Sequence, residues 1–238
     1  MEFIINIFNE SLYRPLFNAL VWIYNFIPGN DLGLAIIALT IIIRLILYPL
    51  SKKAIQSQKA ISKLQPKIKE IQKKYKNKEE QAKAMMELYQ KYKVNPMAGC
   101  LPILVQLPIL IALYRVFFNG LNPEALSALY SFVQSPEVLN ITFLGLVDLS
   151  QRSIVLAVLA GAFQFIQSKM VMPKNTTQSK GKMDFQSMMT QQMVYMMPMV
   201  TIFIAWNLPS ALPLYWIVIT LFGVVQQYFT KVEIKKED

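Results

Sequence analysis

The stretch Leu32–Leu50, LGLAIIALTIIIRLILYPL, constrains this chain more than any other. Such a run, close to the roughly 20 apolar residues that a helix needs to cross the ~30 Å hydrocarbon core, reads as a membrane span. Its single charge is Arg44, and it gives way at Ser51 to Lys52 and Lys53. A cation in dry hydrocarbon costs several kcal/mol or more. A chain that places an arginine there needs something to receive it.

Composition limits what that something is. With 54% hydrophobic residues and a mean hydropathy of +0.36, the chain is too apolar for an ordinary soluble domain. It has no His and a single Cys100, so an internal disulfide is excluded and a metal site has almost no ligands to draw on. No Ser-His or Cys-His pair and no glycine-rich phosphate loop is present. No Asp or Glu falls inside an apolar span, which excludes intramembrane catalysis by paired carboxylates. The expectation is a protein that is not an enzyme and carries no cofactor or metal.

Taken in order, residues 1–31 form an extracytoplasmic segment, apolar but interrupted by Asn6, Asn9, Glu10, Arg14, Pro15 and Asn18. A secretory signal would begin with positive charge and continue unbroken, whereas this one starts with Glu2. Leu12–Ile27 reads as an amphipathic helix in the interface, with Trp22 and Tyr24 at headgroup level; a tilted extra span is the alternative. Pro28-Gly29-Asn30-Asp31 turns into the first span, 32–50. Residues 51–95 are a basic cytosolic hairpin. Between Ser51 and Val94 it holds thirteen Lys against four acids, with apolar residues at helical spacing: Ile61, Leu64, Ile68 and Ile71, then Ala82, Met85, Met86 and Tyr89. Lys76-Asn77-Lys78 divides the two arms, and Pro66 is expected to kink the first arm or restart it.

Four further spans are expected at 97–118, 153–172, 190–208 and 213–230, the last two joined by the tight turn NLPSALP. Between them lie an extracytoplasmic loop at 119–152, expected to hold short interfacial helices, and a Met-rich cytosolic loop at 173–189. A short cytosolic tail follows at 231–238. Orientation follows from Lys and Arg: twenty fall on the hairpin, 169–182 and tail side, against Arg14, Arg115 and Arg152 opposite. The N-terminus is therefore expected outside and the C-terminus inside. The fold class is an all-α integral membrane protein of five transmembrane helices, with an interfacial N-terminal helix and a cytosolic helical hairpin.

With no intramembrane carboxylate to neutralise it, Arg44 must face water, a lipid phosphate, a backbone carbonyl or a charge carried by a ligand. The alternative is snorkelling, in which the side chain reaches the inner headgroups. The other spans supply uncharged polar residues: Trp216, Thr220, Gly223 and Gln227 on one helical stripe, Gly161, Gln164 and Ser168 with Gln167 beside them, and Gln106. Each amide alone can simply tie helices together. With an unpaired Arg they favour a hydrophilic groove lined by Arg44, Gln106, Gln164, Gln167, Trp216, Thr220 and Gln227. Met183, Met188, Met189, Met193, Met196, Met197 and Met199 form a second concentration, suited either to varied apolar partners or simply to a membrane helix.

On these residues the chain resembles the YidC/Oxa/Alb family of membrane-protein insertases from about Leu12 to Phe229. The carrying pieces are IIIRLILYPLSKKA around Arg44, LQPKIKEIQKKYK in the hairpin, VNPMAGCLPILVQLPILIALY and NLPSALPLYW. The resemblance implies a five-span core with a hydrophilic groove open to the cytosol and the lipid and closed on the outer face. It implies that Arg44 attracts the acidic end of a client protein and that Gln164 and Trp216 line the groove. Implied partners are nascent membrane-protein clients and membrane lipids, then the Sec translocon and the ribosome, with no nucleic-acid substrate, in the bacterial cytoplasmic membrane. The large extracytoplasmic domain of Gram-negative members is missing, which suggests a short form, and the lipoprotein signal of many Gram-positive members is not seen. A tail of only TKVEIKKED does not suit ribosome docking through a long basic extension. The expected function is membrane-protein insertase and chaperone. A small anion channel or transporter, or a structural partner of the Sec translocon, is the rival reading.

Overall fold

The computed structural model describes residues 2–75, 77–99, 101–119, 127–136, 139–171 and 185–231. Helix α1 (Glu2–Phe8) runs through a π-helical turn (Asn9–Tyr13) into α2 (Arg14–Phe26). The widened turn sits just ahead of Pro15, which has no N–H to donate back along the helix and whose ring crowds the preceding carbonyl. Helix α2 buries Phe17, Leu20, Val21 and Tyr24 on one side and leaves Trp22 half exposed. The expectation of Tyr24 at headgroup level is corrected here: its ring is fully buried, and its hydroxyl accepts a hydrogen bond from the Asn140 amide at 2.7 Å. A phenol sunk in a protein core needs such a partner, and the Asn140 backbone supplies it.

Gly29 and Asn30, both at positive φ, make the turn into α3 (Leu32–Ile46). Asp31 caps that helix by accepting from Leu34 N at 2.9 Å. Leu32, Ala35, Ile36 and Leu39 are buried along one face, while Ile41, Ile42, Leu45 and Ile46 stay exposed. The chain then breaks at Leu47 and enters α4 (Tyr48–Lys74) with a 69° bend. Pro49 is the cause, since it cannot donate to Leu45 O and would clash with it. The helix expected to reach residue 50 thus ends at Ile46. Pro66, by contrast, neither ends nor restarts α4, which remains helical through it. Asn77 caps α5 (Lys78–Lys91) by accepting from Glu79 N, and α5 packs back on α4. Leu64 and Ile68 of α4 are buried, whereas α5 buries nothing completely.

A 3₁₀ turn (Pro96–Gly99) leads to α6 (Leu101–Asn119). In the segment between α6 and the next helix, where short interfacial helices were expected, β1 (Thr142–Phe143) pairs antiparallel with β2 (Val147–Asp148). Its turn uses Leu144 and Gly145 at positive φ, and Asp31 holds it by accepting from Leu144 N. Helix α7 (Ile154–Val171) packs closely on α8 (Phe185–Trp206) and α9 (Ala211–Phe229). A Cβ at Gly161 would lie 2.3 Å from Ile202 of α8, and one at Gly223 would lie 2.2 Å from Gln167 of α7. Small residues permit this approach, as helix pairs in lipid require when no hydrophobic force draws them together.

Helices α7 and α9 are each long and apolar enough to cross a membrane, and the bent pair α3–α4 makes a third candidate. Leu104–Phe118 and Val194–Trp206 are shorter apolar stretches. Side chains such as Leu107, Ile111, Val155, Phe203 and Val225 are exposed on these helices. Apolar surface of that extent on a backbone satisfied within its own helices suits lipid, not water.

Candidate functional site

Because α3 stops at Ile46, Arg44 occupies its last turn instead of lying well inside a longer span. A cation in that position opposes the partial negative charge of the helix C-terminus. The side chain is half-buried, and its Nε is inaccessible with no hydrogen-bond acceptor. Arg14 pairs with Glu10 at 3.1 Å, whereas no carboxylate among the described residues pairs with Arg44.

Its level relative to α9 follows from the α3–α4 break. Gln226 Nε2 donates to Tyr48 O at 3.3 Å and to Ser51 Oγ at 2.8 Å, which sets the level of α9 against the α3–α4 break. Tyr215 lies eleven residues, about 16 Å at helical rise, farther from that end, whereas Arg44 is only about 6 Å above Tyr48. Arg44 nevertheless interacts electrostatically with Tyr215. Tyr215 is itself buried, and its hydroxyl accepts from Gln106 Nε2 of α6. Arg44, Tyr215 and Gln106 thus bring together α3, α9 and α6.

The remaining expected residues lie at other levels of α7 and α9. Trp216 is half-buried against the apolar core and Thr220 is buried a turn below it. Gln167 packs its amide on Gly223, and Gln164 is half-buried one turn away on α7. Gln227 lies about 18 Å along α9 from Tyr215, buried, with Oε1 unpartnered. Of the seven expected residues, Gln106 is tied to α9 through the Tyr215 hydroxyl and Gln167 packs on α9 at Gly223.

Sequence reasoning passed over Tyr215, Gln226 and Lys59. Tyr215 and Gln226, eleven residues apart, share a helical face beside the stripe Trp216–Gln227, and that neighbouring phase was the available signal. Lys59 of α4 donates to the carbonyls of Gln227 and, at 2.7 Å, Thr230, closing the C-terminal end of α9. Burial, then the like charge of Lys63, pushes its ammonium below the usual lysine range. Met196, Met197 and Met199 are exposed on α8; of the loop expected at 173–189, residues 173–184 with Met183 lie outside the described residues and 185–189 belong to α8.

At the end of the bundle where α9 begins, an open cleft of roughly 390 Å³ is lined by Phe118, Ser150, Gln151, Arg152, Asn207 and Pro209. It is separated from Arg44 by the packed start of α9, where Ser210 N donates to Gln151 O at 2.8 Å and Ala211 N to Leu149 O at 3.2 Å.

The family model described as the 60Kd inner membrane protein matches residues 22–237. A membrane protein insertase YidC of Fusobacterium nucleatum is 36% identical, over 96% of this chain and 97% of its own. The YidC of Oceanobacillus iheyensis is 37% identical over 86% of this chain and 77% of its own. That of Geobacter sulfurreducens is 38% identical over 92% of this chain, which spans only 36% of that longer protein. A crystal structure of an active YidC insertase with its first transmembrane domain resolved superposes with a TM-score of 0.60 at 30% identity, covering 92% of this chain and 47% of that one.

Proposed function

This chain belongs to the 60Kd inner membrane protein family, with membrane protein insertases among its relatives, and from that premise we propose that it inserts client proteins into the membrane. It resides in the bacterial cytoplasmic membrane. In this reading five spans, with the N-terminus outside and the C-terminus inside, surround a groove open to the cytosol, and the α4–α5 hairpin stands at its mouth. The observation that carries the reading is Arg44: a half-buried cation with an unpartnered Nε and no carboxylate partner among the described residues.

An acidic client flank entering the groove meets this charge inside the bilayer, where a carboxylate at ~4 Å gains about 4 kcal/mol at an effective dielectric of 20. The gain offsets part of the cost of removing the flank from water. The client's own helix drives the transfer, at about 25 cal/mol per Å² of apolar surface removed from water. No nucleotide is required, and the membrane potential assists acidic segments moving outward. Gln106, Gln164, Gln167, Trp216, Thr220 and Gln227 line the polar side, and the chaperone role is the same groove holding a client before release. Association with the Sec translocon and the ribosome extends this reading to assembled partners.

The test uses purified protein in liposomes and a single-span client with an acidic N-terminal tail. Protease protection of the tail is measured with wild type and Arg44→Ala, while ion flux is recorded on the same vesicles. Protection that depends on Arg44, without flux, is the expected result. Flux without protection would move the chain to the channel class, and protection indifferent to the mutation would remove Arg44 from the mechanism.

A further inference from the structure

We propose that α4 carries a headgroup-binding stripe, Lys52, Lys63 and Lys74, that lays the hairpin on the anionic cytosolic surface of the membrane. The inference rests on the orientation given under Proposed function.

The three lysines recur every eleven residues. Eleven residues make about 1100° of helical rotation, within 20° of three full turns, so the three stay in line over about 33 Å. Lys59 and Lys67 fall within about 60° of the same line, as does one acid, Glu70. All but the half-buried Lys59 are exposed. Leu64 and Ile68, both buried, occupy the other side of the helix.

Two observations orient this stripe. First, α4 leaves α3 with a bend of 69°. With α3 along the membrane normal, α4 runs about 20° from the membrane plane, so one long side of it looks at the lipid surface. Second, Lys59 identifies that side. It reaches the last carbonyls of α9, the place where the final span leaves the bilayer. The face carrying Lys59 is therefore turned toward the membrane level, and Lys63 and Lys74 continue it outward from α9. Phosphate-bearing anionic lipids complement that row, and each lysine near such a surface multiplies the docked-to-free ratio by about five.

The test places a fluorophore at Gln56→Cys, on the same face, in a Cys100→Ser background, and reconstitutes the protein in vesicles bearing a nitroxide on a fraction of headgroups. Proteolysis of the hairpin from the outside identifies the vesicle population whose cytosolic face is exposed, and so checks the orientation independently. Quenching is expected to be stronger in phosphatidylcholine vesicles containing phosphatidylglycerol than in phosphatidylcholine alone. About 1 M salt, which shortens the Debye length to ~3 Å, should abolish the difference. Lys52→Gln, Lys63→Gln and Lys74→Gln combined should remove it as well, whereas Lys78→Gln, Lys83→Gln and Lys91→Gln on the other arm should keep it. Equal quenching in both vesicles, or equal loss in both triple variants, would overturn the proposal. So would a stripe variant that loses binding of single-stranded RNA in detergent yet keeps its lipid-dependent quenching, since the surface would then belong to nucleic acid. The salt arm needs no mutation and decides the matter even where a triple variant misfolds.

Discussion

Replacing Arg44 by Met should make the protein more stable and less active. The buried Nε has no acceptor, and an unsatisfied buried donor costs about 1–3 kcal/mol. A charged arginine at the centre of a membrane helix costs roughly 2.5–3.5 kcal/mol on insertion scales, part of which the last-turn position of Arg44 recovers. Met keeps the length of the side chain and removes both penalties. Arg44→Met is therefore expected to raise the unfolding free energy by about 1–3 kcal/mol, worth about 2–4 °C in Tm per kcal/mol at this chain size. Thermal unfolding in lipid nanodiscs, followed by tryptophan fluorescence, reads the first effect. Insertion of an acidic-tailed client reads the second: losing about 4 kcal/mol of attraction lowers the rate roughly a thousandfold. Arg44→Lys should retain most of the insertion. Loss of stability in Arg44→Met would refute the reasoning, because Arg44 would then be a structural tie to Tyr215 and not a charge held in reserve.

Other expectations follow from single contacts. Tyr215→Phe strands the Gln106 amide donor and should cost about 1–3 kcal/mol, while the double change with Gln106→Leu should cost less than the two separate losses combined; additive losses in a double-mutant cycle would show that the pair does not interact. Gly161→Ala drives a methyl to 2.3 Å from Ile202 and 3.0 Å from the Pro198 carbonyl, so about 1–3 kcal/mol is expected. Gly223→Ala meets only the movable end of Gln167 and should cost less than about 1 kcal/mol; the reverse order in thermal unfolding would contradict the packing described. Bonds from Ser150 Oγ and Ser150 N hold the Asp148 carboxyl below its ordinary 3.8. They favour the charged form, so their contribution is complete above that value and is lost as the pH falls through the lowered one. Amide exchange at Ser150 should accelerate there, and Asp148→Asn should flatten the profile.

The apolar runs, the two basic helices divided at Lys76-Asn77-Lys78, and the isolated Arg44 were legible in the sequence, because hydropathy and helical period are properties of neighbouring residues. The resemblance to an insertase family was legible too, on short motifs around Arg44 and NLPSALPLYW. Contacts across the fold were not. Pro49 announces a break, but the 69° bend it permits depends on what α4 packs against. Trp22 and Tyr24 look alike as interfacial aromatics, yet only Tyr24 is buried, because Asn140, more than a hundred residues away, meets its hydroxyl. Tyr215 was passed over for Trp216 because adjacent residues on a helix differ by about 100° in direction, and only the placement of α3 and α6 selects between them. Local chemistry thus determined which segments prefer lipid and which prefer water. The tertiary structure decided which polar atoms face one another inside the lipid-facing bundle, since that depends on distances between helices that no stretch of sequence contains.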